Sequence, residues 1–126
     1  MFNPESNFVV LYTNNIQAIK NFYKALPIGI IKDKESKFSF ILGGIELHFV
    51  ESSTEETLQY RYNTEGRYGQ GVFYYLACAE IENLYQIVSE AKPIKQSAIT
   101  DNHWDSREFL FEDPSGYKFV IWEDVD

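Results

Sequence analysis

Hydrophobic residues form nearly continuous runs on both sides of a turn in a C-terminal stretch, 107–123. The turn, from Asp113 to Gly116, has the Asp, Pro and Gly positions preferred in a type I β-turn. Aromatic and β-branched residues on both sides favour strands. Because side chains alternate across a strand, the segment from Tyr117 to Trp122 places mostly apolar residues on both faces. The pattern predicts a sheet that is covered on both sides.

The same pattern occurs earlier, in residues 37–51. Gly44 and Gly116 lie 72 residues apart, and when they are aligned the segment from Ile45 to Val50 matches the segment from Tyr117 to Trp122. We interpret the hairpin as duplicated.

The segments that precede the two hairpins also repeat. Residues 8–13 and 73–78 predict strands, and each is followed by a helical pattern that ends at Pro27 or Pro93. Short strands are expected at 28–32 and 94–98. The apolar helix faces consist of Ile16, Ile19, Phe22 and Tyr23 in the first copy and of Ile81, Leu84, Tyr85 and Val88 in the second.

The expected N-caps of the two helices differ. Asn14 or Asn15 suits the start of the first helix, whereas Cys78 and Ala79 would make a weak cap for the second. The repeat predicts one α+β domain over residues 1–126, built from two βαβββ modules at 7–51 and 71–124 and a connecting loop at 52–70.

The composition narrows the function classes. A net charge of −8 argues against nucleic acid and is compatible with a cationic small molecule, although acidity also simply aids solubility. No apolar run approaches the roughly 20 residues of a membrane span. The single cysteine, Cys78, fits a reducing compartment, and the N-terminus does not resemble a signal peptide, so we expect a cytoplasmic protein.

The connecting loop carries three tyrosines, at positions 60, 62 and 68. Long loops in compact domains are often lids over a binding site. Two interpretations stay open: a loop folded over a cavity, or rings packed on the sheet or at a subunit contact.

The order of elements, with Gly-Gly-Ile-Glu-Leu-His-Phe-Val-Glu at 43–51 and Trp-Asp-Ser-Arg-Glu-Phe-Leu-Phe-Glu-Asp-Pro-Ser-Gly-Tyr at 104–117, resembles the glyoxalase, bleomycin-resistance and extradiol-dioxygenase superfamily. The resemblance covers residues 8–123 and is strongest with the bleomycin-resistance branch. It implies two modules whose sheets form a U-shaped, barrel-like cup, with helices on the outer face and a ligand inside.

In that fold one apolar face of each sheet packs against the helices, and the other lines the cup. Strand alternation places one set of residues under the helices: Val9, Leu11, Leu47, Phe49, Phe109, Phe111, Phe119 and Ile121. It places another set in the cup: Phe8, Val10, Tyr12, His48, Val50, Phe73, Tyr75, Leu110, Val120 and Trp122.

Metalloenzymes that the chain resembles hold a divalent ion with His or Glu from the first and last strands of each module. Carried onto this sequence, those positions are Phe8, His48, Phe73 and Val120. Hydrocarbon side chains do not coordinate metals, and one donor is too few. The resemblance therefore predicts no metal, no cofactor and no catalytic residue.

Four polar or aromatic side chains are candidates for ligand contact. His48 would contact a ligand in the cup or be satisfied by a neighbouring carboxylate. Glu108 would receive a ligand cation or pair with Arg107 or Lys118. Trp104 inherits a stacking role from the bleomycin-resistance proteins, with packing against the other module as the alternative, and Trp122 is either a cup residue or a core residue.

The function predicted from these observations is metal-free binding of an aromatic or cationic small molecule by a homodimer, similar to antibiotic sequestration. The alternatives are a lyase or dioxygenase that uses His48 with Glu46, Glu108 or Glu123, and a protein whose cup is collapsed. The predicted ligand-binding residues are Phe8, Tyr12, His48, Val50, Phe73, Tyr75, Trp104, Glu108, Leu110, Val120 and Trp122.

Overall fold

The structure, a computed structural model, describes residues 1–52, 68–102 and 105–125. Two helices and nine strands are found in these ranges. In chain order they are β1 (Val9–Thr13), α1 (Ile16–Tyr23), β2 (Gly29–Asp33), β3 (Lys37–Leu42), β4 (Ile45–Glu51), β5 (Phe73–Ala77), α2 (Ile81–Ala91), β6 (Lys95–Gln96), β7 (Thr100–Asp101), β8 (Ser106–Glu112) and β9 (Lys118–Asp124).

The strands form two mixed sheets of the same design. The first has the order β1-β4-β3-β2, with β1 parallel to β4 and the other pairs antiparallel. The second has the order β5-β9-β8-β6, with β7 also pairing with β8 and with β5 parallel to β9. The α+β fold class with two helices is confirmed.

One face of each sheet packs in the shared core. The apolar faces of α1 and α2 bury Ile19, Phe22, Ile81 and Val88 almost completely. The core cluster contains the residues predicted to lie under the helices, with Val9 packed at its edge. This half of the face assignment is confirmed, and the opposite faces carry the candidate site.

The turn between β8 and β9 connects the two modules. The amide of Gly116 donates to the carbonyl of Asp113 at 3.0 Å, so the predicted β-turn is confirmed. The hydroxyl of Tyr117 donates to the carbonyl of Tyr12 at 2.7 Å, and the hydroxyls of Thr13 and Ser115 lie 2.6 Å apart. These contacts hold the first strand of one module against the last hairpin of the other.

Two local features of the second module differ from the predictions. The strand expected at 94–98 is confirmed only for Lys95–Gln96, which forms β6, because the hydroxyl of Ser97 accepts from the amide of Leu110 at 2.8 Å while the Ser97 amide donates to the Leu110 carbonyl. The Leu110 amide of β8 therefore bonds to the Ser97 side chain and not to a backbone carbonyl, and this interrupts the regular strand pairing after β6.

The second error concerns the start of α2. Its N-cap is Glu80, in the left-handed region at φ 59°, and not Cys78 or Ala79. The carboxylate of Glu123 accepts from the amides of Glu80 and Ile81 at 2.6 and 3.3 Å and so acts as the cap from β9. In the first module Asn15 caps α1 by accepting from the amide of Ala18 at 3.0 Å, as one of the two predicted caps does.

No helix in the described ranges is long and apolar enough to cross a bilayer.

Candidate functional site

The open face of the first sheet carries a row of four residues that strand pairing places side by side. Val10 pairs with His48, His48 with Ser39, and Ser39 with Lys32. A cavity of about 190 Å³ lies over this row. Its lining consists of Phe8, Val10, Lys32, Lys37, Phe38, Ser39, His48, Phe49 and Val50.

His48 is held on two sides. The ring of Phe8 stacks on the imidazole with a centroid distance of 3.9 Å and an interplanar angle of 8°. The Nε2 atom of His48 lies 2.6 Å from Oε2 of Glu46, which projects from the same strand two residues earlier. Of the two interpretations of His48, the contact with a neighbouring carboxylate is thus observed, with Glu46 as the partner. His48 also lines the cavity, so a contact with a ligand there stays a prediction.

The open face of the second sheet carries a different set of side chains. Trp122 on β9 pairs with Glu108 on β8 and with Ala77 on β5. A cavity of about 220 Å³ is lined here by Tyr75, Asn102, Ser106, Glu108, Trp122 and Asp124. Two aromatic rings and two carboxylates therefore face the same space.

The expected ion pairs of Glu108 are replaced by other contacts. Oε1 of Glu108 accepts a hydrogen bond from the side-chain amide nitrogen of Asn102, Nδ2, at 2.8 Å. Arg107, on the opposite face of β8, pairs with Glu82, while Lys118 lies 3.8 Å from Glu112. The alternative in which Glu108 pairs with Arg107 or Lys118 is wrong, because alternation points Arg107 away from Glu108 and cross-strand register places Lys118 opposite Glu112.

A third cavity, of about 210 Å³, lies where the modules meet. Tyr12 lines it together with Tyr68, Tyr74 and Tyr117. The hydroxyl of Tyr68 donates to the hydroxyl of Ser52 at 2.8 Å. Burial, together with the charge of Asp113, raises the pKa of Tyr74, so this phenol stays protonated.

The predicted ligand-binding residues are thus distributed over several places. Phe8, His48 and Val50 line the first cavity, and Tyr75, Glu108 and Trp122 line the second. Leu110 is half-buried, Val120 is buried, and Phe73 is 54% exposed on β5. Trp104, His103 and the tyrosines at 60 and 62 lie outside the described residues.

Comparison with known proteins identifies the family. The sequence model of the Glyoxalase/Bleomycin resistance protein/Dioxygenase superfamily matches residues 6–121. The chain belongs to this superfamily.

Solved structures of the superfamily share the fold at low sequence identity. A glyoxalase/bleomycin resistance protein/dioxygenase from Nocardioides is 16% identical with a TM-score of 0.74, and the match covers 100% of this chain and 87% of that one. A glyoxalase family protein from Enterococcus faecalis is 19% identical with a TM-score of 0.67, covering 98% and 100%. A bleomycin-binding protein, solved in complex with bleomycin, is 13% identical with a TM-score of 0.65, covering 95% and 98%. A sequence comparison with curated proteins gave no match.

The metal positions of the superfamily, as carried onto this chain, do not fit a metal ion. Phe8 and His48 are in stacking contact, so a phenyl ring covers one face of the imidazole. Phe73 and Val120 offer no lone pair. Among the described residues, no group of three or more His, Cys, Asp or Glu side chains is arranged to hold an ion.

The carboxylates of the alternative enzyme site have separate structural partners. Glu46 binds His48 on the first sheet, whereas Glu108 binds Asn102 on the second. Both oxygens of Glu123 accept from amides at the start of α2.

Cys78 is a structural cysteine and not a nucleophile. Burial, and secondarily the charges of Glu123 and Glu82, raise the pKa of its thiol, so the reactive thiolate is disfavoured.

Several residues that line the first and second cavities were not predicted from the sequence. On β3, alternation sends Phe38, Phe40 and Leu42 into the core and leaves Lys37 and Ser39 on the open face. Extending the alternation argument to this strand would have found them. Asn102 and Asp124 carry no comparable signal, because their position depends on how a loop and a strand end meet.

Proposed function

We propose that the protein binds an aromatic, cationic small molecule without using a metal, and that it sequesters this molecule instead of transforming it. The observation that carries the proposal is the second cavity, where Tyr75 and Trp122 lie beside Glu108 and Asp124. Aromatic faces attract cations, and the half-buried carboxylate of Glu108, with the exposed one of Asp124, reinforces that attraction.

Belonging to a superfamily with a bleomycin-binding member supports this proposal. The complex with bleomycin is a property of that protein, and at 13% identity the likeness extends only to the fold. Trp104 is a third ring that we propose for the ligand, on the basis of its resemblance to the loop tryptophan of the bleomycin-resistance branch.

We further propose that the protein is a homodimer. Phe8, Val10, Phe73 and Tyr75 are 45–58% exposed on the open sheet faces, and such apolar surface favours contact with another chain. The three cavities described above, of about 190–220 Å³, are smaller than the roughly 300–1,000 Å³ of typical small-molecule sites, so a second copy would complete the site. Sedimentation equilibrium checks this proposal: a mass of one chain at all concentrations would contradict it.

A cytoplasmic location remains a prediction from the sequence.

The binding proposal is tested by titration with N-methylquinolinium, a flat aromatic cation, and with 1-methylnaphthalene, its neutral analogue. The parent protein is titrated beside the Trp104→Phe variant, which keeps an aromatic ring at position 104 and leaves the emission of Trp122 to report on the second cavity, because these are the two tryptophans of the chain. Saturable quenching by the cation, at concentrations about tenfold below those needed for the neutral analogue, is the expected result.

Variants separate the cavity from the general acidity of the protein. Glu108→Gln and Asp124→Asn should each weaken binding of the cation by several-fold. Glu112→Gln is the matched control, because Glu112 lies on the same face of β8, two pairs further along, and contacts Lys118 outside the cavity. Equal losses in all three variants, or equal affinity for the neutral analogue, would refute the proposal.

A further inference from the structure

The first cavity contains a buried polar atom without a partner. Ser39 is 4% exposed, and its hydroxyl makes no hydrogen bond to any residue that the structure describes. Buried hydroxyl groups in proteins nearly always have a partner. Since Ser39 lines the cavity, a group bound in the cavity is the natural partner for this hydroxyl.

The charge around this hydroxyl is positive. Within the described part of the chain, the charged side chains that line the cavity are Lys32 and Lys37, although the whole chain has a net charge of −8. Lys32 is the cross-strand partner of Ser39, and Lys37 precedes Ser39 by two residues on the same face. The ammonium group of Lys32 beside a hydroxyl donor favours an anion.

The remaining walls are apolar. Phe8, Val10 and Val50 lie on the open face of the sheet, and Phe38 and Phe49 border the cavity from neighbouring positions. A free phosphate would leave these walls in contact with a hydrated dianion. A carboxylate on an apolar body matches both the walls and the cationic end.

We propose that the first cavity is a binding site for an amphipathic organic monocarboxylate. The carboxylate accepts from the hydroxyl of Ser39 and pairs with the ammonium group of Lys32, and the apolar body lies against Phe8 and Val50. The site is separate from the second cavity, whose charged lining residues are acidic, so it does not depend on the binding of a cation there.

Titration calorimetry of the full chain with 3-phenylpropionate tests the proposal. The neutral analogue 3-phenylpropanamide has the same apolar body, and inorganic phosphate has the charge without it. We expect the carboxylate to bind about tenfold more tightly than the amide and phosphate not to displace it. No binding of the carboxylate, equal affinity for the amide, or displacement by phosphate at equal concentration would overturn the proposal.

Three variants locate the binding in the cavity. Ser39→Ala and Lys32→Gln should each weaken the affinity for 3-phenylpropionate by about five- to tenfold, whereas Lys34→Gln should leave it unchanged, because Lys34 lies in the same hairpin outside the lining. Ser39→Ala should melt at or above the temperature of the parent protein, since it removes a buried hydroxyl without a partner. Unchanged affinity in both Ser39→Ala and Lys32→Gln would overturn the proposal, whatever N-methylquinolinium does at the second cavity.

Discussion

The hydroxyl of Tyr23 donates a 2.6 Å hydrogen bond to Oδ2 of Asp113, 90 residues further along the chain. Both residues are completely buried. Oδ1 of the same carboxylate accepts from the amides of Ser115 and Tyr117 at 2.8 and 3.0 Å. One carboxylate thus fixes the β8–β9 turn and attaches it to α1, which gives a structural reason for the Asp-Pro-Ser-Gly motif.

Removing the phenol hydroxyl should destabilise the protein. In Tyr23→Phe the Oδ2 atom of Asp113 stays buried and loses its donor, which typically costs about 1–3 kcal/mol. Urea unfolding at neutral pH measures the loss. Tyr85→Phe is the control, because Tyr85 packs edge-on against Phe109 through its ring and is partly exposed. A Tyr23→Phe variant as stable as Tyr85→Phe would show that the buried bond contributes nothing.

The same carboxylate should make stability depend on pH. Burial raises the pKa of Asp113 from 3.8 to about 6, although hydrogen bonds from Tyr23 and from turn amides partly oppose the shift. Because the folded state holds the proton more tightly than the unfolded chain does, the stabilisation from this group is fully present below about pH 3.8 and is lost as the pH rises through about 6. The shift corresponds to about 3 kcal/mol.

Asp113→Asn isolates this effect, since an amide does not titrate and all other carboxyl groups remain in both proteins. The free energy of unfolding of the parent minus that of Asp113→Asn should rise by up to about 3 kcal/mol between pH 7 and pH 4. A difference that is constant, or larger at pH 7, would contradict the assignment.

The core was predictable because it follows local periodicity. The helical pattern placed Tyr23 on the buried face of α1, and the turn signal placed Asp113 at the start of a β-turn. Their hydrogen bond was not predictable from either pattern, because it joins side chains of two modules. The cap of α2 was predicted wrongly for the same reason, because the capping carboxylate belongs to Glu123, which lies on β9 and is distant in sequence from the start of the helix.

The candidate site was predictable only in part. Alternation placed His48 and Trp122 on the open faces, as the cavities show. It did not reveal that Glu46 would bind His48 or that the unpartnered Ser39 would lie beside Lys32, because those relations depend on side-chain conformation and cross-strand register. The opposite charges of the two cavities therefore emerge only from the folded chain.

The close approach of the connecting segment to the β8–β9 turn can be tested with two glycines that have the same φ angle. Gly69 and Gly71 both have φ 78°, a region that costs an L-residue about 1–2 kcal/mol. A Cβ atom on Gly69 would lie 2.1 Å from the carbonyl oxygen of Gly116, whereas one on Gly71 would have no described atom within 4 Å.

Gly71→Ala should therefore show only the conformational cost, and Gly69→Ala should lose about 1–3 kcal/mol more, or fail to fold, because backbone must move to relieve the clash. Thermal and urea unfolding of the two variants side by side measure the difference. Since the dihedral cost is common to both, the difference reports the packing of Gly69 on Gly116 alone. Equal stability of the two variants would mean that this segment does not rest on the turn, and the third cavity, which Gly69 and Tyr117 both line, would lose one of its walls.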